Sequence, residues 1–295
     1  MPRTASASLS AWIALFGIGL GWGSTLMFSK IIVSDNHHPI GITLTSTALG
    51  ALLIGIAMVA TGRRLPLRPK DLIFYAICGL LGTALPNSVG YLAYRELPVG
   101  VVAIVMAVVP ITTMLGAVLM RIERAEPMRL LGLMLGVSSV LLLVIPETSL
   151  PSRDQVIWLI LPIITSLSYT LENLYIAQAK RTDLDPMQIL CGLFWAALAM
   201  LLPVTAASGT WMEIGTFDLA EWSLVAMTFA HLGAYGGFVW LIGRAGPVFA
   251  AQVAYVVTLT GVFLGIVVLG EAHSVWVWLS LVAMLVGLSL VQPRK

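Results

Sequence analysis

Lys30 and Glu172 are charged side chains set well inside long apolar stretches. An ionised group near a bilayer centre costs about 2.5–3.5 kcal/mol on insertion scales, so it needs a partner or a use. Lys30 lies about 20 residues into its stretch, roughly 30 Å along a helix and so near its outer end. Two readings stand: its stem snorkels to the interface, or its ammonium faces a cavity and attracts a carboxylate. Glu172, with Asn173 beside it, can attract an ammonium group or carry a proton. The plainer reading is an internal hydrogen-bonded acid that closes the inner side. Thr83, Asn87, Tyr91 and Tyr94 follow a spacing of four, four and three, which places them on one helical face. His231 and Tyr235 form a second such pair. Each of these polar groups serves either a wet cavity or interhelical hydrogen bonding. With Trp22, Tyr169, Gln252 and Tyr255 they outline an aromatic-walled chamber with few polar fixtures. Such a chamber suits a ligand with an apolar body and a small polar head.

The elements that must position these residues follow from composition. The chain of 295 residues is 59% hydrophobic and 10% charged, with a mean hydropathy of +0.96. Soluble domains carry about 25% charged residues, so the surface must be mostly lipid-facing. Ten apolar runs are long enough to span a bilayer: roughly 10–33, 40–60, 72–93, 98–120, 128–146, 156–179, 186–207, 221–243, 247–269 and 275–292. Backbone groups in hydrocarbon pair internally, so the runs predict helices; the alternation of a membrane barrel is absent. The fold class expected is an all-α integral membrane protein. The first run is too long for a signal peptide and is read as a retained helix. Cys78 and Cys191 fall inside predicted helices, where a disulfide is not expected, and a net charge of +2 does not suggest nucleic acid.

Lys and Arg set the orientation. With the N-terminus inside, the cytoplasmic segments hold Arg3, Arg63, Arg64, Arg68, Lys70, Arg121, Arg124, Arg129, Lys180, Arg181, Arg244, Arg294 and Lys295. The opposite side holds Arg95 and Arg153. Both termini are therefore expected to face the cytoplasm.

A shift of 148 residues brings the halves into register: Pro98–Ala103 lies over Gly246–Ala251, and Glu123 over Glu271. Under the same shift Thr83 and Asn87 match His231 and Tyr235. Five helices per half would insert the second copy upside down, dividing the chain into inverted repeats, 1–147 and 148–295, around a central cavity. Gly17, Gly19, Gly21 and Gly23 form two overlapping GxxxG pairs that permit close helix approach. Pro86 and Pro110 remove backbone donors and are candidate bends, Pro110 the candidate switch of access.

Gly21-Trp22-Gly23-Ser24-Thr25, with Lys30 later in the same helix, resembles the opening signature of EamA-type proteins of the drug/metabolite transporter superfamily. The segment from Pro98 through Pro110 to Glu123, then Gly132 and Gly136, resembles the end of the same domain. Gly270-Glu271 repeats that ending, while Thr258 stands in place of the proline. The resemblance covers nearly the whole chain. It implies export of small metabolites, and ten-helix members include exporters of amino acids, some of them aromatic.

The function expected is secondary export of a small organic solute by alternating access, with aromatic or other large neutral amino acids first. No nucleotide-binding loop is present, so ATP is not the expected drive; protons are a candidate coupling ion. No cofactor or metal is expected, and a monomer or weak dimer is. Competing readings are export of another metabolite or a drug-like cation, a lipid flippase, and an intramembrane enzyme. The last is disfavoured by the absence of HExxH, GxSxG or paired intramembrane carboxylates.

Overall fold

The structure is a computed structural model that describes residues 9–121, 127–145, 150–179, 183–215, 217–245, 250 and 252–291. Among the described residues ten helices follow one another: α1 (Leu9–Ser34), α2 (Pro39–Ala60), α3 (Pro69–Glu96), α4 (Val99–Leu119), α5 (Pro127–Val144), α6 (Arg153–Ala179), α7 (Pro186–Ser208), α8 (Leu219–Ala245), α9 (Val253–Val267) and α10 (Val275–Val291). No strand occurs among the described residues. Six helices, α1–α4, α6 and α7, are long and apolar enough to cross a membrane, and shorter apolar helices lie within α5, α9 and α10. Large apolar side chains such as Ile13, Phe16, Leu20, Ile73 and Val282 are exposed. Helices apolar on all faces expose such residues only where lipid replaces water. The chain is a multi-pass membrane protein.

Local signals place the helix ends. Pro69 and Pro186 each open a helix, where the missing N–H costs nothing. Asp185 Oδ1 accepts from the Met187 and Gln188 amides, and Gln188 Oε1 accepts from the Asp185 amide, a reciprocal cap on α7. Gly209 ends that helix in the left-handed region, φ +67°.

Around the centre, α1 packs on α8 and α9, α2 on α7, α3 on α6 and α7, α4 on α9 and α6, and α5 on α10. Gly19 and Gly23 form the α1–α9 contact: a Cβ on either would collide with Val256 or Thr260. Gly21 instead faces Ala230 and Ala234 of α8, where a Cβ would meet them at ordinary van der Waals distance, and Gly17 faces open space. One of the two expected GxxxG pairs is thus a packing face.

Two expected bends take different forms. Near Pro86, α3 continues through a π-helical segment, Leu80–Ala84. Near Pro110, α4 is interrupted at Ala107 and Val108 and resumes at Val109. Proline has no N–H to donate, so the preceding turn either widens or breaks. Carbonyls in the π-helical segment of α3 and just after it find other donors: Leu81 O accepts from Ser168 Oγ at 2.7 Å, and Pro86 O from Thr165 Oγ1 at 3.3 Å.

The two ends of the bundle differ. One, the Arg68 end, joins the α2–α3 and α6–α7 turns through Arg63–Asp185 at 2.9 Å and Arg68–Asp183 at 2.9 Å. The other, the Glu271 end, gathers the α1–α2, α3–α4, α7–α8 and α9–α10 turns. There the Glu271 carboxylate accepts from the Val99 and Gly100 amides at the start of α4, the latter at 3.1 Å. Buried His273 has its Nε2 at 3.5 Å from Glu271 Oε2, without hydrogen-bond geometry. Burial lowers the His273 imidazole from its ordinary value, and Glu271 partly offsets this. Glu123, the counterpart of Glu271 under the 148-residue shift, lies outside the described residues, as do 246–249 and 251.

Candidate functional site

A central cavity of about 280 Å³ is enclosed by α1–α4 and α6–α9. The widened turn of α3 places Gly82 and Thr83 on its wall, and the following turns add Pro86, Asn87, Gly90, Tyr91 and Tyr94. The stripe expected on one face of α3 therefore lines the cavity in full. Trp22 and His231 also line it, their rings 6.2 Å apart, and Trp22 meets Phe238 in a tilted contact with centroids 5.3 Å apart. His231 has an exposed surface although it sits within the bundle, because that surface belongs to the cavity wall.

The hydroxyls of the wall have largely spent their protons. Thr25, Ser29, Ser46 and Thr228 donate to carbonyls of their own helices, and Thr165 donates across to Pro86 O. Tyr91 and Tyr94 donate to the sulfurs of Met227 and Met106, at 3.4 and 3.5 Å. Tyr169 donates to Asn87 Oδ1 at 3.1 Å, which fixes that amide and leaves its NH₂ free. A hydroxyl whose proton is used keeps its lone pairs. The wall is therefore rich in acceptors and π faces, with Asn87 Nδ2, Trp22 Nε1, the His231 ring and the unspent hydroxyls of Thr47 and Thr83 as its donors. No Asp, Glu, Lys or Arg is among the described residues lining it.

Glu172 stands just behind this wall. A Cβ on Gly82 would occupy the space of its carboxyl group, so the absence of a side chain at 82 lets the acid approach the cavity. Its electrostatic neighbours are Cys78, Tyr169 and Tyr235. Among the described residues it forms no ion pair and accepts no hydrogen bond. Tyr235 packs with the apolar cluster of α2, α3 and α7 that includes Phe74, Tyr75 and Phe194.

Other expected residues lie elsewhere. Lys30 is not on the cavity wall; its Nζ donates to Leu97 O at 3.1 Å and Arg95 O at 3.4 Å, at the end of α3. Asn173 is exposed, one residue and so about 100° of helix from Glu172. Tyr255 turns to Ser289 of α10, and Gln252 is half-buried at the start of α9; neither lines the cavity. Sequence reasoning missed Met106, Met227, Thr47, Thr165 and Phe194. The spacing of Met227 four residues before His231 carried a usable signal, since both share one face.

Comparison with known proteins agrees with this architecture. Residues 9–145, the first five helices, match the EamA-like transporter family. The "Uncharacterized inner membrane transporter YedA" of Escherichia coli strain K12 is 27% identical over 297 residues, covering 96% of this chain and 90% of its own. The protein of that name from E. coli O157:H7 matches to the same extent. A solved protein crystal structure shares the fold with a TM-score of 0.66, at 17% identity and 96% coverage of each chain. With the motifs of α1, the ten-helix bundle and its central cavity, these matches show an EamA-like transporter domain over residues 9–145 and likeness to an inner membrane transporter over nearly the whole chain.

Proposed function

We propose that this protein exports small organic metabolites as a secondary transporter, with aromatic and other large neutral amino acids the first class to test. The observation that carries the reading is the cavity: neutral, aromatic-walled, sized for a small solute, and built from both halves of the chain. Alternating access by inverted repeats is supported by helix bounds that agree to within one residue under the 148-residue shift. Pro39–Ala60 answers to Pro186–Ser208, and Pro127–Val144 to Val275–Val291. The Arg63, Arg64, Arg68 and Lys70 cluster supports a cytoplasmic Arg68 end, and so an outer Glu271 end.

The test is uptake of radiolabelled amino acids into proteoliposomes of purified protein, with and without an imposed pH gradient. Saturable uptake of phenylalanine, tyrosine or leucine is expected. Stimulation by the gradient would make protons the coupling ion, and indifference to it would make the protein a facilitator. No flux of any amino acid in sealed vesicles would overturn the amino-acid assignment.

A further inference from the structure

We propose that the cavity selects ligands by a protonated amine, whose ammonium group is directed to the Glu172 carboxylate while the apolar body lies against Trp22 and the tyrosines. This deepens the transport reading and rests on the cavity's being the transport site. Three observations lead to it.

The first is the state of the acid. Glu172 lies in the membrane-spanning part of α6, against Gly82 of the cavity wall, and no described cation or donor meets it. A carboxylate at that depth is stabilised by a counter-charge, and no described residue supplies one. Lys30, the intramembrane cation of α1, is held at the Glu271 end by two carbonyls. A ligand cation would supply the missing charge.

The second is the hydrogen-bonding sense of the wall. All its hydroxyls but those of Thr47 and Thr83 have donated to carbonyls, sulfurs or Asn87, so most present lone pairs to the space they enclose. An ammonium group, all donors and no acceptor, fits such a surface. The faces of Trp22 and Tyr169 add cation–π attraction.

The third is what the cavity lacks. Among the described residues no Lys or Arg lines it to receive an anion. An anion entering near Glu172 would meet a like charge where screening by water is weak. An amino acid is admitted in this scheme through its ammonium group. Its carboxylate is left to the neutral donors Asn87 Nδ2 and His231.

The experiment uses the purified protein in detergent and isothermal titration calorimetry with three ligands of one skeleton: phenethylamine, 2-phenylethanol and 3-phenylpropionate, at pH 7. Phenethylamine should bind about tenfold or more tighter than the alcohol, the span of one charge-assisted contact, and the acid should bind weakest. In Glu172→Gln, checked for monodisperse elution, amine affinity should fall to that of the alcohol, and the alcohol should be unaffected. The ligand series on unaltered protein stands even if the variant fails to fold. Equal binding of amine and alcohol, tighter binding of the acid, or an unchanged amine affinity in the variant would overturn amine selection while leaving the cavity as a binding site. No binding of any of the three would overturn both readings.

Discussion

At the Glu271 end, polar side chains cross the bundle to reach backbone. Lys30 of α1 takes the last carbonyls of α3, Gln155 of α6 takes Glu96 O, and Glu271 takes the first amides of α4. In the cavity the polar side chains mostly turn back on their own helices, or meet one soft sulfur or one amide. The surroundings match this division: Leu97 and Val99 are fully buried beside the ties, whereas Asn87 and Tyr169 keep accessible surface. Polar groups spent on backbone hold helices together, and polar groups left with free valence can recognise a solute. Substitutions at the two places should separate stability from transport.

The largest effect is expected from Glu271→Ala. It strips acceptors from two amides beside a fully buried turn and should cost about 3 kcal/mol of stability or more. Thermal unfolding in detergent should show this as a large drop, and an unchanged midpoint would break the comparison. Asn87→Ala should do the reverse, cutting transport about tenfold through lost positioning of Tyr169 while the unfolding midpoint stays put. Pro110→Ala supplies the missing donor and favours continuity across the break in α4; transport should slow several-fold with normal expression. Normal kinetics would remove Pro110 from the switching of access.

Lys30→Met sharpens the contrast by asking on which side of it Lys30 falls. As a helix-end tie it should contribute about 1 kcal/mol and leave KM unchanged. A raised KM for carboxylate-bearing substrates at intact stability would return Lys30 to the cavity. The smallest effect concerns His273. Its folded-state value is lowered from the ordinary value of about 6.5, so the fold binds the extra proton less readily than the unfolded chain does. Stability should therefore hold above about pH 6.5 and decline as the pH falls below that value. His273→Gln should flatten this decline in a pH series of unfolding midpoints.

The helix count was readable from hydropathy because a spanning helix must be apolar for most of its length, and α2 and α7 begin and end within a few residues of their expected bounds. The α3 stripe was readable because its period is local. Lys30 was not placed by its own helix: its partners lie 65 and 67 residues away, at a helix end that only the tertiary packing brings near. Asn173 was misleading through adjacency, since a neighbour in sequence faces another way on a helix. Met106 and Met227 escaped notice because a thioether counts as apolar in hydropathy, yet here it accepts hydrogen bonds.

The π-helical segment at Leu80–Ala84 also constrains how the gene can change length. A widened turn accommodates one residue beyond α-helical register, and each residue of helix turns the chain by about 100°. Deleting a single codon there would restore ordinary winding, but one flank would rotate against the other. Either the Arg68–Asp71 cap would leave its partners, or Asn87, Tyr91 and Tyr94 would swing off the cavity wall. Homologues that bind a solute in the same way should therefore keep the spacing between these two groups fixed, and insertions and deletions should collect in the turns between helices instead.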